Sequence, residues 1–288
     1  MLNLRLIIGN LLAYLNSSVA AKRVLDAQEI LNQKKIANKS SLIWTTHKCA
    51  SVYIKKVIHT INKHSEVKGF DYSSTIWSLG SHIKIDNPYE IESISSLYRT
   101  HGEIYGPLRT PFEFEGMSDF NNVFFLRDPR DLLVSRYYSM SFLHRSPYHI
   151  LKLDVFKEKR NQAKLLGINH FCLKYAEEWI IPYFDKFRKI KDSSKESSLL
   201  KYDVFVENPS AFINQFLNSL HVSLPIKVEN KLIKLAKLPH NKKSKNFNFK
   251  SHFRSGKNRQ FEHELDESTV KELNIILKDI LYYWNFEI

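Results

Sequence analysis

Glycine and cysteine are both scarce in this chain, which has 288 residues but only eight glycines and two cysteines. The cysteines, Cys49 and Cys172, are far apart in the sequence and provide neither a framework of disulfide bridges nor a metal-binding spacing. We therefore expect a reducing compartment and predict a cytoplasmic protein. The glycine-rich nucleotide loop G-x-x-x-x-G-K-[ST] is also missing, so an ordinary kinase or NTPase is a poor fit.

Long uninterrupted apolar runs are missing as well. In the first 20 residues, Arg5, Asn10 and Asn16 interrupt a run already shorter than the ~20 residues that a membrane-spanning helix needs. A signal peptide and an anchor are open interpretations of this segment, but we favour an amphipathic helix that packs on the domain or contacts a membrane surface. We predict a helical extension over residues 1–40 and a single domain over residues 41–288.

Acidic residues are outnumbered 30 to 43 by lysine and arginine, which gives a formal net charge of +13. This balance favours a polyanion, an anionic membrane or a small multiply charged ligand as partner. Residues 238–259 contain seven lysines and arginines and no acidic residue. A non-enzymatic protein that binds nucleic acid or an acidic glycan through this segment is therefore one interpretation.

Apolar patterning predicts three units in which a strand leads directly into a helix. Their strands are residues 41–46, 122–126 and 198–202, and their helices begin at Ser51, Pro129 and Pro209. Further helices are expected over residues 168–190, 227–238 and 266–284, with a polar loop at residues 191–198. The pattern predicts an α/β fold of three layers, with a central, mainly parallel sheet flanked by helices and ligands bound at the carboxyl ends of its strands.

The turn between the first strand and its helix has the composition of an anion-binding site. The amides at the start of a helix carry about half a positive charge, Lys48 adds a full charge, and Ser51 adds a hydroxyl. One competing interpretation is an ordinary turn with a surface lysine. Another is a phosphatase with Cys49 as nucleophile, although Lys55 stands where such enzymes need the planar guanidinium of an arginine.

Three more stretches carry candidate functional residues. In "VFFLRDPRDLLVSRYYS", Arg127 at the end of a strand and Ser135 in the next helix can meet around one phosphate. In "HFRSGKNRQF", Arg254 stands near Gly256, so a side chain and a backbone amide can share an anion. In "LYRTHGEIYGPL", His101 can act as a base. Taken alone, these stretches also have structural interpretations: a helix cap with solvated charges, a solvated basic loop and a structural or exposed histidine.

Taken in order, these stretches resemble the sulfotransferases that use 3′-phosphoadenosine 5′-phosphosulfate (PAPS), over roughly residues 41–262. "THKCASVY" is similar to the 5′-phosphosulfate loop of that family, P-K-S-G-T-T-W, and "LRDPRDLLVSRYYS" to its 3′-phosphate motif. "FRSGKNRQF" resembles the carboxyl-terminal segment that closes over the cofactor, and "YRTHGEI" the K-T-H-L-P stretch with the catalytic histidine. "LLKYDVFVENP" is similar to the segment that places Tyr202 near the adenine.

The resemblance implies a P-loop-like fold and transfer of a sulfuryl group from PAPS to a hydroxyl or amine of a small molecule or glycan, without a metal or a specific nucleic-acid partner. Lys48 would stabilise charge on the bridging oxygen, and His101 would deprotonate the acceptor, with Glu103 as its substitute. The implied cofactor-binding residues are Lys48, Cys49, Ala50, Ser51, Val52, Tyr53, Arg127, Ser135, Tyr202, Arg254, Ser255, Gly256 and Lys257.

The sequence departs from the family pattern at three positions of the first loop. Ala50 stands where glycine is usual, so a positive φ would be strained there. Val52 lacks the hydroxyl of threonine, and Tyr53 offers a smaller stacking surface than tryptophan. The acceptor pocket is expected in the less regular stretches at residues 64–118 and 140–170.

Overall fold

The computed structural model describes residues 38–71, 98–143, 150–237 and 257–288. Its centre is a sheet of five parallel strands in the order β2-β3-β1-β4-β5. The strands are β1 (Ser41–Thr45), β2 (Lys68–Phe70), β3 (Glu103–Leu108), β4 (Asn121–Leu126) and β5 (Glu196–Lys201). The predicted mainly parallel α/β fold is therefore confirmed.

Helices cover both faces of the sheet. In chain order they are α1 (Ser51–His64), α2 (Pro129–Tyr138), α3 (Ile150–Tyr175), α4 (Ile181–Ser193), α5 (Tyr202–Glu207), α6 (Pro209–Ser219), α7 (Ile226–Lys237), α8 (Phe261–Glu264), α9 (Glu267–Ile276) and α10 (Lys278–Tyr283). A 3-10 turn covers Met117–Asp119, and π-helical turns cover Ser139–Leu143 and Ala176–Ile180. Within α3, Gly167 has a φ of 67° and breaks the helix into two parts.

The alternation of side chains along the central strands explains the three layers. In β1, Leu42 and Trp44 belong to one apolar core and Ile43 to the other. In β4, Phe124 packs on the first side of the sheet and Phe125 on the second. Because successive residues of a strand point to opposite faces, two strands that are buried throughout and contain consecutive apolar residues must be covered on both sides. The first core includes residues of α2, α3, α4, α9 and α10, and the second includes residues of α1, α5, α6 and α7.

Two helix starts have the capping chemistry that the sequence predicts. The side chain of Asp128 accepts a hydrogen bond from the amide of Arg130 at the start of α2. Asn208 caps α6 in the same way through the amide of Ala211. Both helices continue with proline, which has no amide hydrogen to leave unsatisfied in the first turn.

Other expectations need correction or lie outside the described residues. The polar loop predicted at residues 191–198 is wrong, because α4 continues to Ser193 and β5 already begins at Glu196. β2 and β3 were not predicted. The helical extension expected over residues 1–40 lies almost entirely outside the described ranges. Within those ranges, no helix combines the length and the apolar character needed to cross a bilayer.

Candidate active site

The carboxyl ends of four strands meet at one edge of the sheet, and most of the predicted site residues lie there. β1 pairs in parallel with β3 on one side and with β4 on the other, and β4 pairs with β5. The segments that follow these strands are consequently neighbours, although they are far apart in the sequence. This edge is where ligands bind in open parallel sheets.

The turn after β1 has an unusual backbone. Lys48 and Ala50 have φ values of 62° and 43°, in the left-handed region that favours glycine. The strain expected at Ala50 is therefore present, and such a conformation costs about 1–2 kcal/mol at a residue with a side chain. No side chain caps α1, and its first internal bonds are donated by the amides of Tyr53 and Ile54 to the carbonyl of Ala50. The earlier amides have no acceptor within the helix, as is usual for a helix start, and this suits an anion-binding site.

Arg127 reaches this turn from the end of β4. Its Nη1 donates to the carbonyl oxygen of Lys48 at 3.2 Å, and its backbone amide donates to Oγ1 of Thr46 at 3.3 Å. Its Nη2 donates to Oδ2 of Asp131 at 3.3 Å and to the carbonyl oxygen of Lys257 at 3.2 Å. The structure thus brings together Lys48 and Arg127, on which the sequence interpretation depends. The buried Nε of Arg127 has no hydrogen-bond partner among the described residues.

Tyr202 and Lys257 complete the surroundings of Arg127. The guanidinium of Arg127 lies over the ring of Tyr202, 4.6 Å from its centre, because Tyr202 directly follows β5. Lys257 belongs to the predicted carboxyl-terminal motif and contacts Arg127 through its carbonyl group. The rest of that motif, Arg254, Ser255 and Gly256, lies outside the described residues.

Carboxylates near Arg127 are already engaged in pairs. Asp131 accepts from Arg127 and, through Oδ1, from the amides of Gln260 and Phe261 at 2.6 and 3.2 Å. Asp128 is paired with Arg130 at 2.7 Å. These contacts neutralise the acidic residues of the turn and fix the segment that begins at Lys257 against α2.

Asp203, next to Tyr202, has an unusual pKa. Burial, together with the nearby carboxylates of Asp128, Asp131 and Glu207, raises the pKa of Asp203 to about 6. Arg127 opposes this rise only in part. The carboxylate of Asp203 is therefore destabilised in the folded protein.

The remaining residues of the first loop and of α2 have different degrees of exposure. Ser51 and Ala50 are half-buried at the start of α1, and Val52 is exposed. Ser135 is half-buried on α2, one turn beyond Asp131 and on the same side of the helix.

The structure does not favour the stacking role expected for Tyr53. Its ring is buried and packs on Phe205, with 5.0 Å between the ring centres, and its hydroxyl donates to the carbonyl oxygen of Leu232 at 2.9 Å. The ring of Tyr53 therefore has little free surface for adenine.

His101 does not lie in this site, and the prediction that it is the base does not fit the structure. It precedes β3 and forms an isolated bridge with Lys39, which precedes β1. His101 is thus at the amino edge of the sheet, and six strand residues at about 3.3 Å each separate it from the carboxyl edge by roughly 20 Å. Its substitute, Glu103, is the first residue of β3, where it is buried and hydrogen-bonded to the hydroxyl of Tyr105.

Cys49 is not positioned as a nucleophile. Its thiol is fully buried and donates to the carbonyl oxygen of Phe125 at 3.4 Å. Burial raises the pKa of this thiol, and the nearby charge of Arg127 does not compensate. Because a phosphatase needs an accessible thiolate, the interpretation of Cys49 as a phosphatase nucleophile is wrong.

A second group of residues at the same edge was not predicted as functional. We call it the His47 cluster: His47, Arg109, Arg136, Trp179 and Tyr183. His47 precedes Lys48, and Arg109 directly follows β3. A useful sequence signal was present, since an arginine after a strand is the pattern that identified Arg127. It was missed because β3 was not predicted.

Comparison with known proteins supports the same architecture. No sequence family matches the chain, and no curated protein matches it. The structure is similar to that of the mouse sulfotransferase SULT7A1 complexed with PAP, with a TM-score of 0.54 and 10% identity over 86% of each chain. Two structures of retinol dehydratase superpose with TM-scores of 0.49 and 0.44. One contains androsterone and the inactive cofactor PAP, and the other contains retinol and PAP. Both are 14% identical to this chain and cover 90% of it, with 85% and 86% of their own chains. The protein therefore has the sulfotransferase fold.

Proposed function

We propose that this protein is a PAPS-dependent sulfotransferase that transfers a sulfuryl group to a hydroxyl or amine of a small molecule or carbohydrate. The observation that carries this proposal is the contact between Arg127 and the turn that bears Lys48, at the start of an uncapped helix. Two separate anion-binding groups at one sheet edge suit a ligand with negative charge at both ends. The structural similarity to a sulfotransferase complexed with PAP, the nucleotide that remains after transfer, is in keeping with this.

The residues present fit such a nucleotide. A guanidinium has five N–H donors, and three hydrogen bonds to Lys48, Asp131 and Lys257 leave Nε–H and one N–H of Nη1 of Arg127. A phosphate oxygen would satisfy the buried Nε, which otherwise costs free energy. Ser135 would assist Arg127 at this 3′-phosphate, and Tyr202 would lie close to the adenine.

The turn after β1 fits the opposite end of the same nucleotide. The amides of residues 49–52, the hydroxyl of Ser51 and the ammonium of Lys48 would surround the 5′-phosphosulfate, whereas the amide of Tyr53 already donates to the carbonyl of Ala50. PAPS, when bound, supplies an activated sulfuryl group whose bond to the phosphate oxygen breaks on transfer.

Lys48 would stabilise the negative charge that appears on the bridging oxygen. Partial desolvation of its ammonium and the nearby Arg127 lower the pKa of Lys48, so the site favours a bound anion that offsets these effects. Groups that act only on charge formed in the transition state raise the rate of the chemical step.

His47 is the candidate for the role of base that the sequence analysis assigned to His101. Burial and the charges of Arg109, Arg136 and Lys48 lower the pKa of His47 to about 4, so its imidazole is neutral at pH 7. A neutral imidazole beside Lys48 is available to accept the proton of the acceptor, although its low basicity makes it a modest base.

We also propose that residues 41–288 form one domain in a reducing compartment. Leu42 of β1 and Phe286 near the carboxyl terminus belong to the same apolar core. Cys49 and Cys172 are both buried free thiols. The described residues contain no group of histidine, cysteine, aspartate or glutamate side chains that would hold a metal ion.

The proposal is tested by transfer of labelled sulfur from PAPS to a panel of hydroxylated acceptors, together with binding of PAP to the purified full chain. Lys48→Met should lower transfer by about 10²–10³-fold, in the range found when one oxyanion-stabilising group is removed. Lys56→Met, at an exposed position on the same helix α1, is the matched control and should retain activity. A fully active Lys48→Met variant, or a wild-type chain that does not bind PAP, would overturn the proposal.

A further inference from the structure

The His47 cluster is held together by one tyrosine. The hydroxyl of Tyr183 donates to the carbonyl oxygen of Arg109 at 2.6 Å and accepts from the amide of His47 at 3.2 Å. It therefore joins the turn after β1 to the end of β3. The rings of Trp179 and Tyr183 are stacked at 5.4 Å, and they lie 6.5 and 5.8 Å from the imidazole of His47. The guanidinium of Arg136 lies 3.8 Å from the centre of the indole ring.

This cluster concentrates positive charge, and the described part of the chain supplies no ion-pair partner for it. Among the described residues, neither Arg109 nor Arg136 forms an ion pair, and the buried Nε of each has no hydrogen-bond partner. Lys48 adds a third cation next to His47. Their combined field, with burial, keeps the imidazole unprotonated down to low pH. A buried guanidinium nitrogen without a hydrogen-bond partner costs free energy unless a bound oxyanion satisfies it.

Arg109 lies on the other side of β1 from the strands that position the nucleotide site, whereas Arg136 reaches the cluster from α2, where it is the neighbour of Ser135. β3, which ends before Arg109, flanks β1 on one side, whereas β4 and β5, which position Arg127 and Tyr202, lie on the other. A nucleotide held by Arg127 and Tyr202 would reach Lys48 from the β4 side. An acceptor that approaches Lys48 from the β3 side would meet the His47 cluster.

From these observations we infer that the His47 cluster is a second oxyanion site, which binds a carboxylate, sulfate or phosphate group of the acceptor through Arg109 and Arg136. This inference rests on the proposed function and gives it a substrate class: acceptors that carry a negative charge near the hydroxyl or amine to be sulfated. Part of the excess positive charge of the chain would then bind the acceptor rather than the nucleotide. Arginine suits such a site because its planar guanidinium pairs with two oxyanion oxygens.

Inorganic sulfate is a suitable probe, because it contains the oxyanion alone. The full chain, saturated with PAP so that the nucleotide site is filled, is titrated with sodium sulfate at constant ionic strength, and tryptophan fluorescence is recorded. Trp179 should report binding, because Arg136 lies directly on its ring. Saturable binding is expected, and Arg109→Gln and Arg136→Gln should each weaken it by about tenfold or more, as expected for the loss of a charge-assisted hydrogen bond.

Matched variants separate a specific site from a general salt effect. Arg188→Gln removes an exposed arginine that also lies on an aromatic ring, that of Tyr283, and it should bind sulfate as the wild type does. Arg136→Lys keeps the charge and should retain most of the affinity. Sulfate binding that is unchanged in both glutamine variants, whose folding is checked by circular dichroism, would overturn the inference.

A parallel titration with PAPS in place of PAP identifies which molecule supplies the anion. If the cluster serves the acceptor, sulfate should bind equally well with either nucleotide. If PAPS abolishes sulfate binding, the cluster holds the transferable group of the donor, and the assignment to the acceptor is wrong. If PAP does not bind but sulfate still distinguishes Arg136→Gln from Arg188→Gln, the proposed function fails while the oxyanion site stands.

Discussion

The binding of PAP should depend on the two N–H donors of Arg127 that form no hydrogen bond to the described part of the protein. A charge-assisted hydrogen bond contributes about 1.5–3 kcal/mol, so two of them contribute about 3–6 kcal/mol. At 1.4 kcal/mol for each factor of ten, loss of both corresponds to roughly a hundredfold to ten-thousandfold weaker binding. The three contacts to Lys48, Asp131 and Lys257 also hold the guanidinium in place before the ligand arrives.

A single substitution of Arg127 would confound binding with folding. Removing one partner of a buried ion pair costs about 3–5 kcal/mol, because the carboxylate of Asp131 would remain buried without its guanidinium. The informative variant is therefore Arg127→Met/Asp131→Asn, which removes both charges. Asparagine retains an oxygen that can still accept from the amides of Gln260 and Phe261.

The neighbouring ion pair between Asp128 and Arg130 offers a matched control. It is buried in the same turn, but Arg130 contacts Asn274 and the ring of Phe261 rather than Lys48. Titration calorimetry with PAP should show the loss calculated above for the double variant at positions 127 and 131. Arg130→Met/Asp128→Asn should bind within about threefold of wild type. Wild-type affinity in the first double variant would refute the reasoning.

Three further predictions concern stability and reactivity. Tyr183→Phe removes two hydrogen bonds and leaves the amide of His47 and the carbonyl of Arg109 without this partner, so the free energy of unfolding in urea should fall by about 1–3 kcal/mol. Asp203→Asn should stabilise the protein at pH 7.5. Because the pKa of Asp203 is raised to about 6 in the folded protein, its ionisation lowers the stability of the wild type as the pH rises from about 4 to 6. In thermal unfolding at pH 4, the advantage of the variant should therefore vanish. If the variant is no more stable at pH 7.5, the buried carboxylate is not destabilising. Cys49 should react with iodoacetamide at least about tenfold more slowly in the native protein than in urea, and equal rates would contradict its burial.

The sequence predicts the parts of the fold that local chemistry determines. The central strands β1 and β4 contain uninterrupted apolar runs, residues 42–44 and 123–126, and the Asp-Pro and Asn-Pro pairs at the starts of α2 and α6 are strong local start signals. In contrast, β2 has only three residues, and β3 contains Gly106 and Pro107, which are poor strand formers. Their places in the sheet depend on packing against β1, which is a tertiary effect.

The error over His101 has the same origin. The similarity of "YRTHGEI" to a catalytic motif rests on residue types alone. The location of a side chain, in contrast, depends on which end of a strand it lies at. As long as β3 is not predicted, nothing prevents the assignment of His101 to the carboxyl edge of the sheet. With β3 at Glu103–Leu108, that edge is occupied by Arg109 instead. His47 had no periodic signal of its own, and its neighbours come from the end of β3, from α2, from the π-helical turn at Ala176–Ile180 and from α4.

The contact between Arg127 and the turn that bears Lys48 could be anticipated because each residue lies between a strand and the helix that follows it in a parallel sheet. Such units of strand, turn and helix place their turns at a common edge whatever the length of chain between them. What could not be predicted was the pairing of Arg127 with Asp131 and with the carbonyl of Lys257, which depends on how the carboxyl-terminal segment returns to α2.

The central claim, that Lys48 and Arg127 bind the two ends of one nucleotide, is tested most directly by a crystal structure of the full chain with PAP. We predict that the 5′-phosphate lies against Lys48 and the first amides of α1, and that the 3′-phosphate is hydrogen-bonded to Arg127. A structure in which PAP binds away from the carboxyl edge of β1 and β4, or contacts neither side chain, would contradict the account.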